Sequence, residues 1–368
     1  MTEVQLAQLQ WLVLGLAGIL STLLGALLHR SHFCTMGAVS DAVVMGSFDR
    51  MRQWALALSV AILGFGAMTY LELITPLKSA YATGVVFWFS AFVGGLLFGW
   101  GMVWSSGCGA KSLVRLGTGN LKSLLVLLVM GIVALATLRG ILAFPRVQIL
   151  EAIQYQPQQG LFASQWLSAV AELPFHQAAL IAAVFFAVIL GAWVLFDRPF
   201  RSSHNVMTGL GVGLVICCMW WISGVLGHGS EHPETLDEFF LATSSRKMEA
   251  ISLTAPIALG LDALLYFTDG TKRLSLGMIS VLGISLGALI SAKLQGTFKW
   301  ESFSNLADLK RHLVGGSCMG VGAVLAMGCS LGQGLSGLST LSFASLLATI
   351  GILSGAYAAL RHDLNQVD

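Results

Sequence analysis

The chain has 368 residues, of which 56% are hydrophobic and only 10% charged, with a mean hydropathy of +0.80. A soluble domain carries about 25% charged residues, so this composition excludes a water-soluble globule and marks an integral membrane protein. The formal net charge of +2 gives no case for nucleic acid as a partner.

Apolar runs at about 9–28, 54–74, 84–105, 121–143, 176–196, 206–227, 250–267, 274–292, 312–329 and 340–360 predict nine or ten spans. Each approaches the ~20 residues needed to cross the hydrocarbon core. Backbone groups in lipid must be satisfied internally, so the spans are helices; the runs are too continuous for alternating barrel strands. The first run lacks a basic leader and a small-residue cleavage site, which predicts a retained span. His29, Arg30 and His32 mark its end and read as ordinary interfacial residues. Three Gly- and Ser-rich pieces at 33–48, 107–119 and 328–340 are too short or too polar to span. Irregular backbone at membrane depth is tolerated only inside protein or beside water, so these are expected to be short re-entrant helices around a pathway. A polar insert occupies 228–249; its "HGSEH" at 228–232 reads as loop, and no metal site is expected.

The chain also repeats itself. Cys329 lies 221 residues after Cys108. At that offset Gly94, Gly95, Gly99, Gly101 and Gly107 fall on Gly315, Gly316, Gly320, Gly322 and Gly328, and Asp41-Ala42 falls on Asp262-Ala263. This predicts a single all-α membrane domain built as two inverted repeats, about 9–145 and 206–362, joined by 146–205. The two aspartates read either as intramembrane carboxylates with a coupling role or as salt-bridge partners, for example of Arg50 or Lys272, and the second reading is the stronger.

Six cysteines are present, and no C-x-x-C pair is among them. Cys217, Cys218 and Cys318 sit in plain apolar runs and read as small hydrophobes. Cys108 and Cys329 each follow a glycine at a repeat-related turn, which singles them out. Gly107, Gly109, Gly328 and Gly332 are the candidate supporting glycines, allowing close helix approach and unusual backbone angles. Cys34 stands in "HRSHFCTMG", and its repeat partner is Ala255, so symmetry alone does not select it. Lys111 and Arg115, four residues apart, share a helix face and can attract an anion; interfacial snorkelling is the ordinary alternative. The second half carries Gly332 and Ser336 at those positions.

"HRSHFCTMG", "GWGMVWSSGCGAKSL" and "GAVLAMGCSLGQGLSGLST" together resemble the YeeE/YedE-type sulfur transport family, over about residues 10–358. The resemblance implies an hourglass-shaped helical transporter of the bacterial inner membrane that imports thiosulfate without a cofactor. It also implies that Cys34, Cys108 and Cys329 line the pathway and contact the ion through S–H hydrogen bonds. The chemistry is compatible. Neutral thiols donate weak hydrogen bonds to an anion, and a thiol buried in apolar surroundings stays neutral. Weak successive sites let an ion both enter and leave.

Two alternatives remain at this stage. One is a channel or transporter for another small solute, including a selenium species. The other is a membrane thiol protein that docks a sulfur carrier; an enzyme of that kind needs a base beside its thiol, and no histidine adjoins Cys108 or Cys329 in sequence. Partners expected besides the anion are membrane lipid and a cytosolic sulfur-carrier protein at the exit.

Overall fold

The computed structural model describes residues 3–197, 200, 202–231, 236–268, 274–303 and 305–366. The first half comprises α1 (Glu3–Ser31), α2 (Thr35–Ser40, prolonged by a π-turn Asp41–Met45), α3 (Asp49–Tyr70), α4 (Trp88–Trp104), α5 (Gly109–Gly117) and α6 (Leu121–Arg139). Short α7 (Ala143–Pro145) and α8 (Ala163–Ala171) lead to α9 (Phe175–Leu195) and α10 (Ser203–Trp221). The insert forms a small hairpin of β1 (His228–Gly229) and β2 (Phe239–Phe240). It is followed by α11 (Thr254–Leu265), α12 (Leu276–Leu294), α13 (Leu306–Leu325), a π-turn Gly332–Gly337 and α14 (Phe343–Leu364).

Among the described residues eight helical segments are long and apolar enough to cross a membrane. Two of the ten expected spans differ from that group. The run at 250–267 becomes α11, which has only 12 residues. The run at 312–329 becomes α13, displaced toward the N-terminus so that it takes in Asp308, Lys310, Arg311 and His312. Protein partners stabilise that polar start: Lys122 pairs with Asp308 at 2.7 Å, and Arg311 pairs with Asp363. Side-chain caps fix several helix starts. The Asn120, Ser275 and Asn305 side chains each accept the N–H three residues on, at 3.1, 3.3 and 2.8 Å.

Contacts between the helices set their directions. Gly18 meets Ile279 and His29 bonds Ser291, so α1 and α12 run parallel. α4 is wedged between α13 and α14. A Cβ built on Gly101 would lie 2.5 Å from the Gly315 carbonyl oxygen, and one on Gly94 would lie 2.4 Å from the Ala326 nitrogen, so α4 and α13 are antiparallel. On the other face a Cβ on Gly95 would lie 2.4 Å from the Ala348 carbonyl oxygen, and one on Gly99 2.2 Å from that of Ile352, so α14 is parallel to α4. The run "GGLLFGWG" is thus glycine-rich because α4 has backbone neighbours on two sides.

The insert defines one side of the molecule. Met248 N–H donates to the Lys78 carbonyl at 3.0 Å and Ala80 N–H donates to the Met248 carbonyl at 2.9 Å, which lays the insert across the α3–α4 connection. Lys78 and His228 both engage Glu238 and close the hairpin there. Residues 232–235, including the second histidine of "HGSEH", lie outside the described residues.

Candidate functional site

Three short helical pieces start at the three expected cysteines. Cys34 is the N-cap of α2 and Cys108 that of α5, both with extended backbone. Cys329 precedes the π-turn Gly332–Gly337. In each case the cysteine carbonyl accepts the N–H four residues on: Ala38 at 2.9 Å, Ser112 at 2.9 Å and Gln333 at 2.7 Å. In each case the residue two positions before the cysteine is left-handed: His32 (φ 53°), Ser106 (φ 58°) and Met327 (φ 58°).

At Ser106 and Met327 the local bonding explains that backbone. Ser106 N–H reaches the Val103 carbonyl and Gly107 N–H reaches that of Met102; Met327 and Gly328 repeat the pattern with Val324 and Ala323. These paired bonds terminate α4 and α13 in the same left-handed cap. The left-handed cap residue is therefore the one before the glycine; Gly328 itself also has a positive φ (159°), whereas Gly107 does not. Gly107 instead leaves room for Lys111, whose Cγ would be 2.9 Å from an added Cβ. Gly332 leaves room for Ser252, whose Oγ would be 3.0 Å away. Gly109 opens α5, where an added Cβ would meet nothing nearer than Met130 at 3.7 Å.

The three turns converge. The Cys34 and Cys108 sulfurs are 3.9 Å apart, and the Ser330 side chain lies near the Cys108 thiol. Ser330 adjoins Cys329, whose own sulfur accepts the Gly332 N–H at 3.4 Å. All three cysteines are buried, with 7%, 1% and 1% of their surface exposed. Sulfurs in contact leave no free passage between Cys34 and Cys108, so the waist is closed. Two more polar atoms lie buried beside it without a hydrogen-bond partner among the described residues: the Thr35 hydroxyl and the Trp54 indole N–H. Thr35 follows Cys34, and Trp54 packs on Gly334 in the π-turn after Cys329.

A cavity of about 430 Å3 opens on one side of the waist. Cys34 lines it together with His32, Arg50, Asp41, Lys111 and Arg115. Arg50 pairs with Asp41 at 3.2 Å, and Arg115 donates to the Ser106 carbonyl at 2.8 Å. One carboxylate among three cations leaves a net charge of about +2, which favours an anion. Lys111 and Arg115 therefore stand at the cysteine-lined cavity and not at the lipid boundary.

A second cavity, of about 350 Å3, lies on the insert side, lined by Tyr81, Arg139, Glu249, Ser252 and Met327 among others. It reaches the third turn: the Tyr81 hydroxyl donates to the Gly332 carbonyl at 2.5 Å. Tyr81 also stacks edge-on against Trp220, whose indole N–H donates to Ser339. Sequence reasoning missed Tyr81, Thr35, Trp54 and Glu249. Tyr81 and Glu249 lie between spans, and Thr35 and Trp54 have no repeat signal.

The remaining residues singled out in the sequence fall elsewhere. The Cys217 thiol donates to the Val60 carbonyl at 3.5 Å, Cys318 packs on Gly101, and Cys218 is exposed. Asp41 finds Arg50, as one sequence reading holds; Asp262 finds Arg139 at 3.3 Å, and Lys272 lies outside the described residues. Among the described residues no group of three or more His, Cys, Asp or Glu side chains could hold a metal ion.

Comparison with known proteins gives consistent matches. A family model described as sulphur transport matches residues 30–358. The thiosulfate transporter TsuA of Escherichia coli (strain K12) is 24% identical over 360 residues, covering 93% of this chain and 92% of the relative. The thiosulfate transporter TsuA of Spirochaeta thermophila is 25% identical over 345 residues, covering 90% of this chain and 94% of the relative.

Proposed function

The chain belongs to the sulphur transport family, and from that premise we propose that it imports thiosulfate, or a closely related sulfur anion, across a bacterial inner membrane. As a multi-pass membrane transporter it is not an enzyme. In this reading the ion gathers in the basic cavity, parts the Cys34–Cys108 contact, passes Cys329 and leaves through the cavity beside Tyr81. The observation that carries it is that three turns, each with a left-handed residue two positions before its cysteine, come together where Cys34 lines a cavity of net positive charge and touches Cys108.

The chemistry follows from the ion. Thiosulfate carries two negative charges and a soft terminal sulfur. Neutral thiols donate weakly and are polarisable, so each holds the ion briefly without trapping it. The Thr35 hydroxyl and the Trp54 indole N–H add harder donors for its oxygens. Their buried, unpartnered state carries a cost that an entering oxyanion would relieve. Because Cys34 and Cys108 already contact one another at 3.9 Å, the ion must push the two sulfurs apart, replacing a thiol–thiol contact with thiol–ion contacts.

The architecture proposed for this path is two inverted repeats. In support, α4 and α13 occupy matching positions at the 221-residue offset yet run antiparallel, and each ends in the same cap before its cysteine. The decisive experiment is uptake of radiolabelled thiosulfate by proteoliposomes holding the purified chain. Saturable uptake, competed by unlabelled thiosulfate and not by sulfate, supports the proposal. Absence of uptake with the folded protein overturns it.

A further inference from the structure

The insert-side cavity contains a carboxylate that an anion path does not call for. Glu249 lines that cavity opposite Tyr81. Its oxygens accept the Ser244 N–H at 3.1 Å and the Ser244 and Ser245 hydroxyls at 3.3 and 3.2 Å. Its own N–H donates to Ser223 at 3.2 Å, which anchors it to the end of α10. All these donors are neutral, and no described Lys, Arg or His forms an ion pair with it. The carboxylates Asp41, in the basic cavity, and Asp262, in a separate cavity, are by contrast matched to Arg50 and Arg139.

The groups facing Glu249 are already committed. Tyr81, from the α3–α4 connection, gives its proton to the Gly332 carbonyl. Arg139, at the end of α6, holds Asp262. On the segment of Glu249 itself, Lys247 donates to the Ala82 carbonyl at 2.5 Å and Arg246 is exposed. The nearer parts of α11 and α12 offer Ala255, Pro256 and Gly277, which carry no charge. Glu249 is half-buried, and the desolvation it meets there pushes its carboxyl above the usual carboxylate range, with the serine hydrogen bonds opposing it.

We propose that Glu249 is a proton-operated gate at the insert-side mouth of the anion path. Ionised, it repels a dianion standing between Tyr81 and the vestibule. When the carboxylate takes up one proton and becomes the neutral acid, the repulsion vanishes and the ion crosses. The proton is taken from and returned to the insert-side vestibule, so the gate responds to the pH on that side. The proposal rests on the reading that this path conducts a sulfur anion, and it names the residue that makes conduction depend on pH.

The test uses the full-length protein in proteoliposomes with radiolabelled thiosulfate over a pH series. Wild-type uptake should fall on the order of tenfold for each pH unit above the carboxyl's pKa. Glu249→Gln should hold uptake flat across the series and lose its stimulation by an imposed pH gradient. Ser244→Ala, which removes one donor to the ionised form, should move the wild-type profile to higher pH without abolishing it. Infrared difference spectra between low and high pH supply a readout independent of transport: a protonated carboxyl band present in wild type should be missing in Glu249→Gln. Identical pH slopes in wild type and Glu249→Gln, with transport intact, overturn the gate alone. A wild-type protein that carries no thiosulfate at any pH overturns the transport reading and the gate with it.

Discussion

Cys108 is the thiol whose removal should matter most, because it is the one that touches both neighbours. Its sulfur lies 3.9 Å from that of Cys34, and Ser330, the residue after Cys329, lies near it. Cys108→Ala deletes a donor at the narrowest point of the path. A hydrogen bond to a charged group is worth about 1.5–3 kcal/mol, and a thiol, as a weak donor, belongs at the lower end. About 1.4 kcal/mol is a factor of ten, so uptake should fall roughly tenfold if that contact is made at the rate-limiting barrier. The same substitution removes no buried charge and opens only a small void, so the melting temperature should move little. Cys108→Ser keeps a donor of similar shape and should retain more uptake than the alanine variant. Cys318→Ala, whose thiol packs on α4 away from the waist, is the control and should transport as wild type does. Initial rates of radiolabelled thiosulfate uptake, normalised to protein in the membrane, make the measurement. Wild-type rates in Cys108→Ala at matched abundance would refute the reasoning, whatever the other cysteines do.

Three further outcomes follow from the same contacts. Replacing Lys111 and Arg115 together by methionine takes the basic cavity from about +2 to neutral; the apparent KM for thiosulfate should rise about tenfold or more, and its dependence on ionic strength should flatten. Gly99→Val would put a Cβ 2.2 Å from the Ile352 carbonyl oxygen and should cost about 3 kcal/mol, read as a lowered melting temperature, whereas Gly15→Val, with nothing within 4 Å, should be near neutral. The Lys78 amino group, with His228 second, holds the Glu238 carboxyl below the usual carboxylate range. The stability it lends the hairpin is therefore present above the unfolded carboxylate pKa and is lost as pH falls through the lower folded value. Corrected hydrogen exchange at residues 228–229 and 239–241 should speed up on acidification in wild type and show no such pH step in Glu238→Gln.

The sequence displays the membrane class and most spans because apolar length is a direct physical requirement of the bilayer. It displays Cys108 and Cys329 because close helix approach demands glycine, and glycine spacing survives as a repeat. Cys34 is different. Its turn has a left-handed residue at the same position, His32, but Phe33 and not a glycine precedes the thiol, so no glycine pattern marks it. Only the family resemblance selects it. The start of α13 escapes a hydropathy reading for a related reason: Asp308 and Arg311 are tolerable there because Lys122 and Asp363 meet them, and those partners lie far away in the chain. Glu249 is hidden because an insert between spans reads as solvent-facing loop. Its Met248 neighbour is in fact pinned across the α3–α4 connection by two backbone hydrogen bonds, and this turns the carboxylate into the cavity.

The two ends of the path share backbone but not charge, and that difference bears on direction. Lys111 and Arg115 have Gly332 and Ser336 as their repeat counterparts, so one mouth is cationic while the other presents Tyr81 and Glu249. Fixed charges of this kind deepen one well and raise another. They alter how fast the ion enters and leaves, and at which concentration the path saturates. They cannot drive net import, because at equilibrium a static landscape speeds both directions alike. An inside-negative membrane potential opposes entry of a dianion by about 2.3 kcal/mol per charge per 100 mV. Sustained accumulation therefore requires a second ion moving with the anion or prompt consumption of the ion on arrival. A titrating carboxylate at one mouth sets how fast the ion passes at a given pH, but it links the two fluxes only when its proton is bound from one side and released to the other; with exchange on one side alone, consumption of the ion on arrival is what sustains import.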